Sequence, residues 1–460
     1  MSGAHSRSRV ENSETPGTPV AVKTAPSRLD LVLFYGVFSL LLFAPLAFGA
    51  VEPWSEFLLK SGAATLFVLW TVRQFQKGEL TIANNPVFYP MLAFAALIAA
   101  QLIFRLTAYR YETISNALLY VAYGLLCFLA VQTLRRTSQV RQLGLIFSIY
   151  GAALALFALV QALSGTTKLY WIRAPRQGGW IYGPYVNHNH YAGLMEMLAP
   201  IPLALALGRQ VRGPAKTFAA LAAALMAATI FLSGSRGGMI AFVVELFVIA
   251  VMMVRKEKRA RTLITVAAFV GLLGGLLLWL GGGELAKRVT SIHSEAESEL
   301  TGGTRLDIDR DGLRMFADKP ILGWGLGTFP EVYPQFRSFY TNFFVNAAHN
   351  DYIQLLTDMG ALGFAAMLWL LFVVYRNGFE KLRGWPNDTN STISLAALLG
   401  VTGILVHSFV DFNLQIPANA ALFYVLCTVA AMEPRFGEFH RRSRTRVQDV
   451  MTELSLGNQF

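Results

Sequence analysis

A chain of 460 residues with 54% hydrophobic and 15% charged side chains is too apolar for a single soluble core, since soluble proteins carry about 25% charged residues. Lipid must solvate part of it. The formal net charge of +11 does not mark a nucleic-acid binder, because the Lys and Arg residues are spread through short loops between apolar runs, the pattern that orients membrane proteins.

Residues 1–29 are polar, with Ser, Thr and Pro. They read as a disordered cytoplasmic tail without a cleavable signal peptide. A membrane-spanning helix takes roughly 17–25 mostly apolar residues. Such runs lie near 30–51, 55–75, 87–104, 115–134, 142–163, 189–208, 215–232, 237–254, 262–281, 351–375, 392–412 and 417–434. The expectation is an all-α polytopic integral membrane protein of about twelve spans. Nine fall within 30–281, a long loop follows at 282–350, three spans fall within 351–434, and a basic tail closes the chain at 435–460. The density of Leu, Ala, Phe and Val favours helices over a membrane barrel, whose strands alternate apolar and polar residues. Cys127 and Cys427 both lie inside apolar runs and read as small core residues, not as a disulfide.

Every second loop is basic. Arg73 and Lys77, Arg135 with Arg136 and Arg141, Arg209 with Arg212 and Lys216, the cluster Arg255 to Arg261, and Arg376 with Lys381 and Arg383 alternate with loops that are shorter or less basic. The positive-inside rule then puts both termini in the cytoplasm of a bacterial inner-membrane protein. It puts the segments 164–188 and 282–350 on the opposite, periplasmic side. Loops of that length are commonly functional or disordered. The second holds Trp324, Phe329, Tyr333, Phe336, Phe339, Tyr340 and Phe343, enough aromatics to fold or to lie on the membrane. Within it Arg305–Ala317 reads as a helix ended by Pro320. The Gly-rich stretch 323–327 reads as a turn where backbone can approach a ligand closely.

Four groups of residues can carry chemistry. Arg236 sits at an outer turn, flanked by Ser233, Gly234, Ser235, Gly237 and Gly238. A lone arginine at a helix end often only snorkels. Small neighbours, however, clear space for the guanidinium and expose N–H groups at the next helix start, which suits an anion. Arg305, Arg310 and Arg314 are interleaved with Asp307, Asp309 and Asp311. A solvated salt-bridge helix competes there with an anion site. His349 precedes Asn350 and Asp351 at the mouth of a helix, where Asp351, Gln354 and Asp358 form one polar stripe. The stripe suggests a polar cavity or a partner. A neutral His349 could accept a proton, or could merely cap the helix. Asn187, His188, Asn189 and His190 precede Gly193 and Glu196. The two histidines lack an obvious third metal ligand, and polar contacts to sugar hydroxyls suit the group better. Asn189, Gly193 and Glu196 share a helix face, which suggests a wet groove. His407 and Asp411 read as an i, i+4 pair and Glu245 as a buried packing residue. No P-loop or dinucleotide fingerprint is present, so a lipid-linked donor fits better than a nucleotide one.

Three segments resemble the O-antigen ligase and O-antigen polymerase family of bacterial envelope proteins. They are Asn187–Gly193, Thr304–Phe329 with Asp318-Lys319-Pro320-Ile321-Leu322-Gly323-Trp324-Gly325, and Ala348–Tyr352 with Asp411–Pro417 downstream. The likeness extends over roughly 180–430. It implies an all-helical membrane fold and metal-independent, inverting transfer of a glycan from undecaprenyl diphosphate, without a cofactor. The acceptor would be the hydroxyl of lipid A core or of another molecule. In that resemblance Arg236 and Arg305 hold the diphosphate and His349 is the base toward the acceptor. Arg310, Arg314, Asn187, His188, Asn189, His190 and Asp351 would contribute to substrate binding. The acids around Arg305 depart from the family, which often shows an aromatic there, and leave the choice between Arg305 and Arg310 open. A polymerase, a protein O-oligosaccharyltransferase and a transporter remain as alternatives. A transporter would show an internal repeat and broken helices at the membrane midplane.

Overall fold

The computed structural model describes residues 27–78, 80–175, 180–256, 260, 263–279, 302–341 and 344–432. Residues 1–26 of the predicted N-terminal tail, the predicted tail 435–460, Lys258, Arg259, Arg261, Phe343 and residues 280–301 lie outside these, and residues 28 and 29, read as tail, belong to the first helix. The described residues form helices and no strand, with two isolated bridges at Leu169–Arg173 and Tyr182–Tyr185.

In chain order the helices are α1 (Arg28–Leu46), α2 (Pro53–Lys77), α3 (Phe88–Ile103), α4 (Arg110–Thr133), α5 (Thr137–Leu163), α6 (His188–Leu198), α7 (Pro200–Leu207), α8 (Pro214–Ser233), α9 (Arg236–Lys256), α10 (Leu263–Trp279), α11 (Gly302–Asp318), α12 (Phe329–Val332), α13 (Asp351–Lys381), α14 (Thr389–His407) and α15 (Pro417–Ala431). Local chemistry sets their ends. Ser27 and Asp30 form a capping box at the start of α1, each accepting from the other's backbone N–H at 3.1 Å. Asp388 caps α14 through Ser391 N–H at 2.8 Å. Such caps satisfy N–H groups the first turn leaves open, each worth roughly 0.5–2 kcal/mol. Pro53, Pro214 and Pro417 open α2, α8 and α15, where a missing N–H costs nothing.

Among the described residues, eight helices are long and apolar enough to cross a membrane, counting α6 and α7 as one stretch, His188–Leu207. The other four predicted runs coincide with the shorter apolar helices α3, α10 and α15 and with the more polar α2. Apolar surface faces outward in helical register. On α9, Ile240, Val243, Phe247, Val251 and Val254 are exposed, spaced three and four apart on one stripe. That arrangement is stable against hydrocarbon and costly in water. The core runs through α6, α14 and α15, which are buried along almost their whole length. Cys127 and Cys427 are free thiols in this core. Between α3, α4 and α13 lies an apolar recess of about 620 Å³ lined by Phe94, Ile98, Tyr120 and Leu370.

The described part of the long loop packs on itself. Ile308 and Met315 of α11 meet Phe329, Val332, Tyr333, Val345 and Ala348, with Trp324, Phe336 and Phe339 at the rim. Asp311, fully buried, accepts from the Ser338 backbone N–H at 2.8 Å and the Ser338 hydroxyl at 3.0 Å. The acid that sequence places on a solvated face therefore closes this small core.

One expectation is corrected here and two are made specific. The run at 351–375 reads as one helix, but Gly360 has φ 64° and ψ −169° and interrupts α13. Residues 320–325 lie alongside the break. Trp324 and Gly325 N–H donate to the carbonyls of Thr357 and Asp358, and Ala361 and Leu362 N–H donate to those of Pro320 and Ile321, at 2.8–3.2 Å. The Gly-rich turn thus approaches the protein's own backbone closely. A Cβ on Gly323 would lie 2.6 Å from the Asp358 carbonyl oxygen. Of the cavity or partner expected for the stripe on α13, the structure gives the partner, the loop backbone. Gln354 accepts from Ala348 N–H at 2.8 Å, and Asp358 accepts from Gly327 N–H at 3.0 Å, so both tie down the loop.

Candidate functional site

Helix α8 ends at Gly234 with φ 80°, and Arg236 is the first residue of α9. Only a residue without a Cβ adopts that turn without strain. Ser235 Oγ accepts the Gly238 N–H at 3.2 Å and so caps α9. Arg236 is exposed at this corner, whereas Gly237 and Gly238 are buried. The glycines let α9 press against the end of α14: a Cβ on Gly237 would overlap the His407 ring and lie 2.9 Å from Cγ2 of Val410.

The segment that follows α14 gathers the other candidates. Arg305, half-buried on α11, donates from Nη1 to the Val410 carbonyl at 3.1 Å. Its Nε is buried and has no hydrogen-bond partner among the described residues. The His349 ring packs edge-on against Phe412 at 4.8 Å between centroids, and the His190 ring does the same at 4.8 Å. His190 Nε2 stands 3.7 Å from Asp411 Oδ1. Burial raises the Asp411 carboxyl, but His190, His349 and His407 together more than offset this and hold it below the usual carboxylate range. Arg305 and His349, far apart in sequence, both touch the turn 407–412, and Arg236 adjoins it through its neighbour Gly237.

His349 has φ 53°, an uncommon conformation for a residue with a Cβ and one that clusters at functional positions. It does not cap α13. Asn350 does, accepting from Tyr352 and Ile353 N–H at 3.1 and 3.3 Å. Asp309 lies beside this corner on α11. Burial raises its carboxyl to about 6 against the opposing effects of Asn350 and Arg305.

The remaining candidates are placed differently. Arg310 pairs with Asp307 at 3.3 Å and Arg314 with Asp311 at 3.1 Å, with side chains 72% and 65% exposed. Arg310 with Asp307 forms the solvated ion pair that sequence held open, whereas Arg314 reaches from the surface to the buried Asp311, and neither arginine reaches the 407–412 turn by any hydrogen bond among the described residues. Asp351 accepts from the Ser408 hydroxyl at 2.9 Å, from Leu414 N–H at 3.1 Å and from Gln415 Nε2 at 3.2 Å. It therefore fixes the turn from beneath. Asn187 caps α6 through Asn189 N–H at 2.8 Å. His188 stacks on Trp180 at 4.4 Å and His190 turns toward Asp411, so the two histidines do not converge. No cluster of three His, Cys, Asp or Glu side chains suited to a metal occurs among the described residues.

The wet groove expected on α6 is closed. Glu196 is fully buried and pairs with His407, Oε1 to Nδ1 at 2.9 Å, while Asn413 packs on Gly193. The i, i+4 reading of His407 with Asp411 also fails, because α14 ends at His407 and Asp411 lies beyond the helix. Sequence reasoning passed over Asp411 as a site residue. The signal was its place in the Asp411–Pro417 motif, directly before an apolar residue that two histidines share.

Residues 221–368 match the family model described as O-antigen ligase. The resemblance to the O-antigen ligase family is shown over this stretch. The O-antigen ligase match begins in α8 and ends in α13. It takes in Arg236, Arg305 and His349, and covers neither Asn187–Gly193 nor the turn 407–412. It supports a role of O-antigen ligase or polymerase type in polysaccharide biosynthesis. No curated protein matches the chain.

Proposed function

We propose that this protein transfers a glycan from undecaprenyl diphosphate to an acceptor hydroxyl at the periplasmic face of the inner membrane. The observation that carries the reading is that Arg305 and His349 both touch the turn 407–412, on which Gly237, next to Arg236, also packs, all three candidates lying in the stretch that matches the O-antigen ligases.

The bond from the anomeric carbon to the diphosphate is already activated, so the enzyme must supply position and charge. Arg236 at the start of α9 and Arg305 on α11 grip the diphosphate. Their hold strengthens as the C–O bond breaks and negative charge collects on the leaving oxygen. His349 takes the proton of the acceptor hydroxyl as its oxygen forms the new glycosidic bond from the opposite side, which inverts the anomeric centre. A base so placed is typically worth 10²–10⁴-fold. Asp411 provides the negative charge that favours the protonated imidazole afterwards. The chain needs no metal in this scheme, because two guanidinium groups carry the charge a divalent ion would neutralise.

Purified protein in lipid discs, given a defined lipid-linked glycan and a choice of acceptors, tests the reading. Transfer to lipid A core supports ligation, and growth of the lipid-linked glycan itself supports polymerisation. Labelling of a protein hydroxyl supports oligosaccharyl transfer. Wild-type transfer by Arg236→Ala or His349→Ala would sink the assignment of roles.

A further inference from the structure

The proposed reaction leaves one buried ionisable pair unused, Glu196 with His407. Both side chains are almost completely enclosed, at 0% and 1% exposure, in helices apolar enough to cross a membrane. A carboxylate and an imidazole in such surroundings are expensive even when paired, and well-packed apolar residues often replace such pairs at no loss of stability. A pair like this is therefore weak evidence for stability alone.

Its contacts point toward the site. His407 Nδ1 meets Glu196 Oε1 at 2.9 Å, and His407 Nε2 meets Ser235 Oγ at 3.4 Å. Ser235 Oγ in turn accepts the Gly238 N–H. Gly237 lies directly on the imidazole, and a Cβ on Gly238 would stand 2.9 Å from Glu196 Oε1. The first turn of α9 therefore rests on both members of the pair, and Arg236 is the residue at its head. The order carboxylate, imidazole, hydroxyl resembles a nucleophile triad. Ser235, however, is 0% exposed and is already engaged as the helix cap, so a reacting carbon has no access to its oxygen.

We infer that Glu196 and His407 are positioning residues that brace the start of α9 and so fix the geometry with which Arg236 meets the diphosphate. The pair touches no substrate. It acts through Ser235 and the two glycines. This inference rests on the reading of Arg236 as a diphosphate ligand.

A double-mutant cycle on the full-length protein in lipid discs tests it, with undecaprenyl diphosphate as the binding probe and transfer kinetics alongside. Glu196→Gln and His407→Gln keep shape and lose the charged pair. Each is expected to weaken probe binding about tenfold while leaving the KM for the acceptor unchanged. In the Arg236→Lys background the same changes are expected to add little, because coupled residues act non-additively. Gly237→Ala retains the pair but displaces it, and should reproduce the loss if His407→Gln fails to fold. Multiplicative losses with Arg236→Lys, or wild-type binding in Glu196→Gln and Gly237→Ala, overturn the brace. Wild-type binding in Arg236→Lys overturns the diphosphate reading itself, a separate outcome from failure of the brace.

Discussion

Arg305 on α11 donates to the carbonyl of Val410 at 3.1 Å, and this bond joins the helix of the long loop to the turn that His349 and Gly237, the neighbour of Arg236, also touch. Arg310 and Arg314 turn the other way, each to an aspartate three residues before it. Arg305→Ala is accordingly expected to lower kcat/KM by about 10²–10³, the scale for losing one transition-state charge ligand. Arg310→Ala should stay within about threefold of wild type, since exposed ion pairs contribute little, whereas Arg314→Ala takes the cation from the buried Asp311 and should act through the stability of the loop, not through donor binding. Steady-state transfer rates for the three variants decide this. A dead Arg310→Ala beside an active Arg305→Ala moves the site outward on α11.

His349→Ala should lose about 10²–10⁴ in kcat with binding of undecaprenyl diphosphate retained, because a general base acts on the acceptor and not on the donor. Asp411→Asn should fall in the same direction by a smaller factor, since it removes the negative charge facing His190 and His349. Binding and single-turnover rates measured on the same preparations separate the two steps. Loss of donor binding in His349→Ala would reassign that residue to the diphosphate.

Asp309 gives the site a pH dependence with a definite sign. Its carboxyl is raised to about 6 by burial, so below that value it is neutral and Arg305 is fully available to an anion. As pH rises through 6 the carboxylate forms, and it competes with the diphosphate for Arg305. The same raised value means that Asp309 favours the folded state at low pH, and that this preference is lost as pH rises through about 6. Donor binding should weaken a few-fold, roughly, between pH 5 and pH 7.5, and Asp309→Asn should flatten the profile. An equally steep profile in the Asn variant would point to another titrating group.

Gly360→Ala should lower the melting temperature of the purified protein by several degrees. Its φ of 64° with ψ of −169° is accessible only to glycine without strain of about 1–3 kcal/mol, and a Cβ there would overlap the backbone of Ile321. Gly124→Ala, where a Cβ meets open space in α4, is the matched control and should be neutral or slightly stabilising. Equal melting temperatures for the two variants would contradict this account of the break.

The helices were legible because their signals are local. Apolar runs, opening prolines and caps such as Asp388 act within a few residues, and eight of the twelve predicted runs fall on helices long and apolar enough to cross a membrane. The turn that carries Arg236 was legible for the same reason, through the small residues on either side of it. What sequence missed is pairing over distance. His407 meets Glu196, 211 residues away, while spacing alone offered it Asp411. Gly360 sits in an apolar stretch that a continuous helix could accommodate, and nothing nearby in sequence announces the loop that breaks it. Asp311 alternates with arginines like a surface acid, yet Ser338, 27 residues on, draws it inside.

The interruption at Gly360 also bears on how the chain is assembled. Backbone N–H and C=O groups freed inside a span are intolerable in hydrocarbon, and here residues 320–325 supply their partners. That segment precedes α13 in the chain and so leaves the ribosome first. A chain shortened by deleting 320–328 would still carry every apolar residue of α13. It would nevertheless present the insertion machinery with a helix whose broken turn faces lipid unsatisfied. Such a chain should be retained as an immature species and degraded, so that quality control, before any assay of catalysis, would register the loss of the loop.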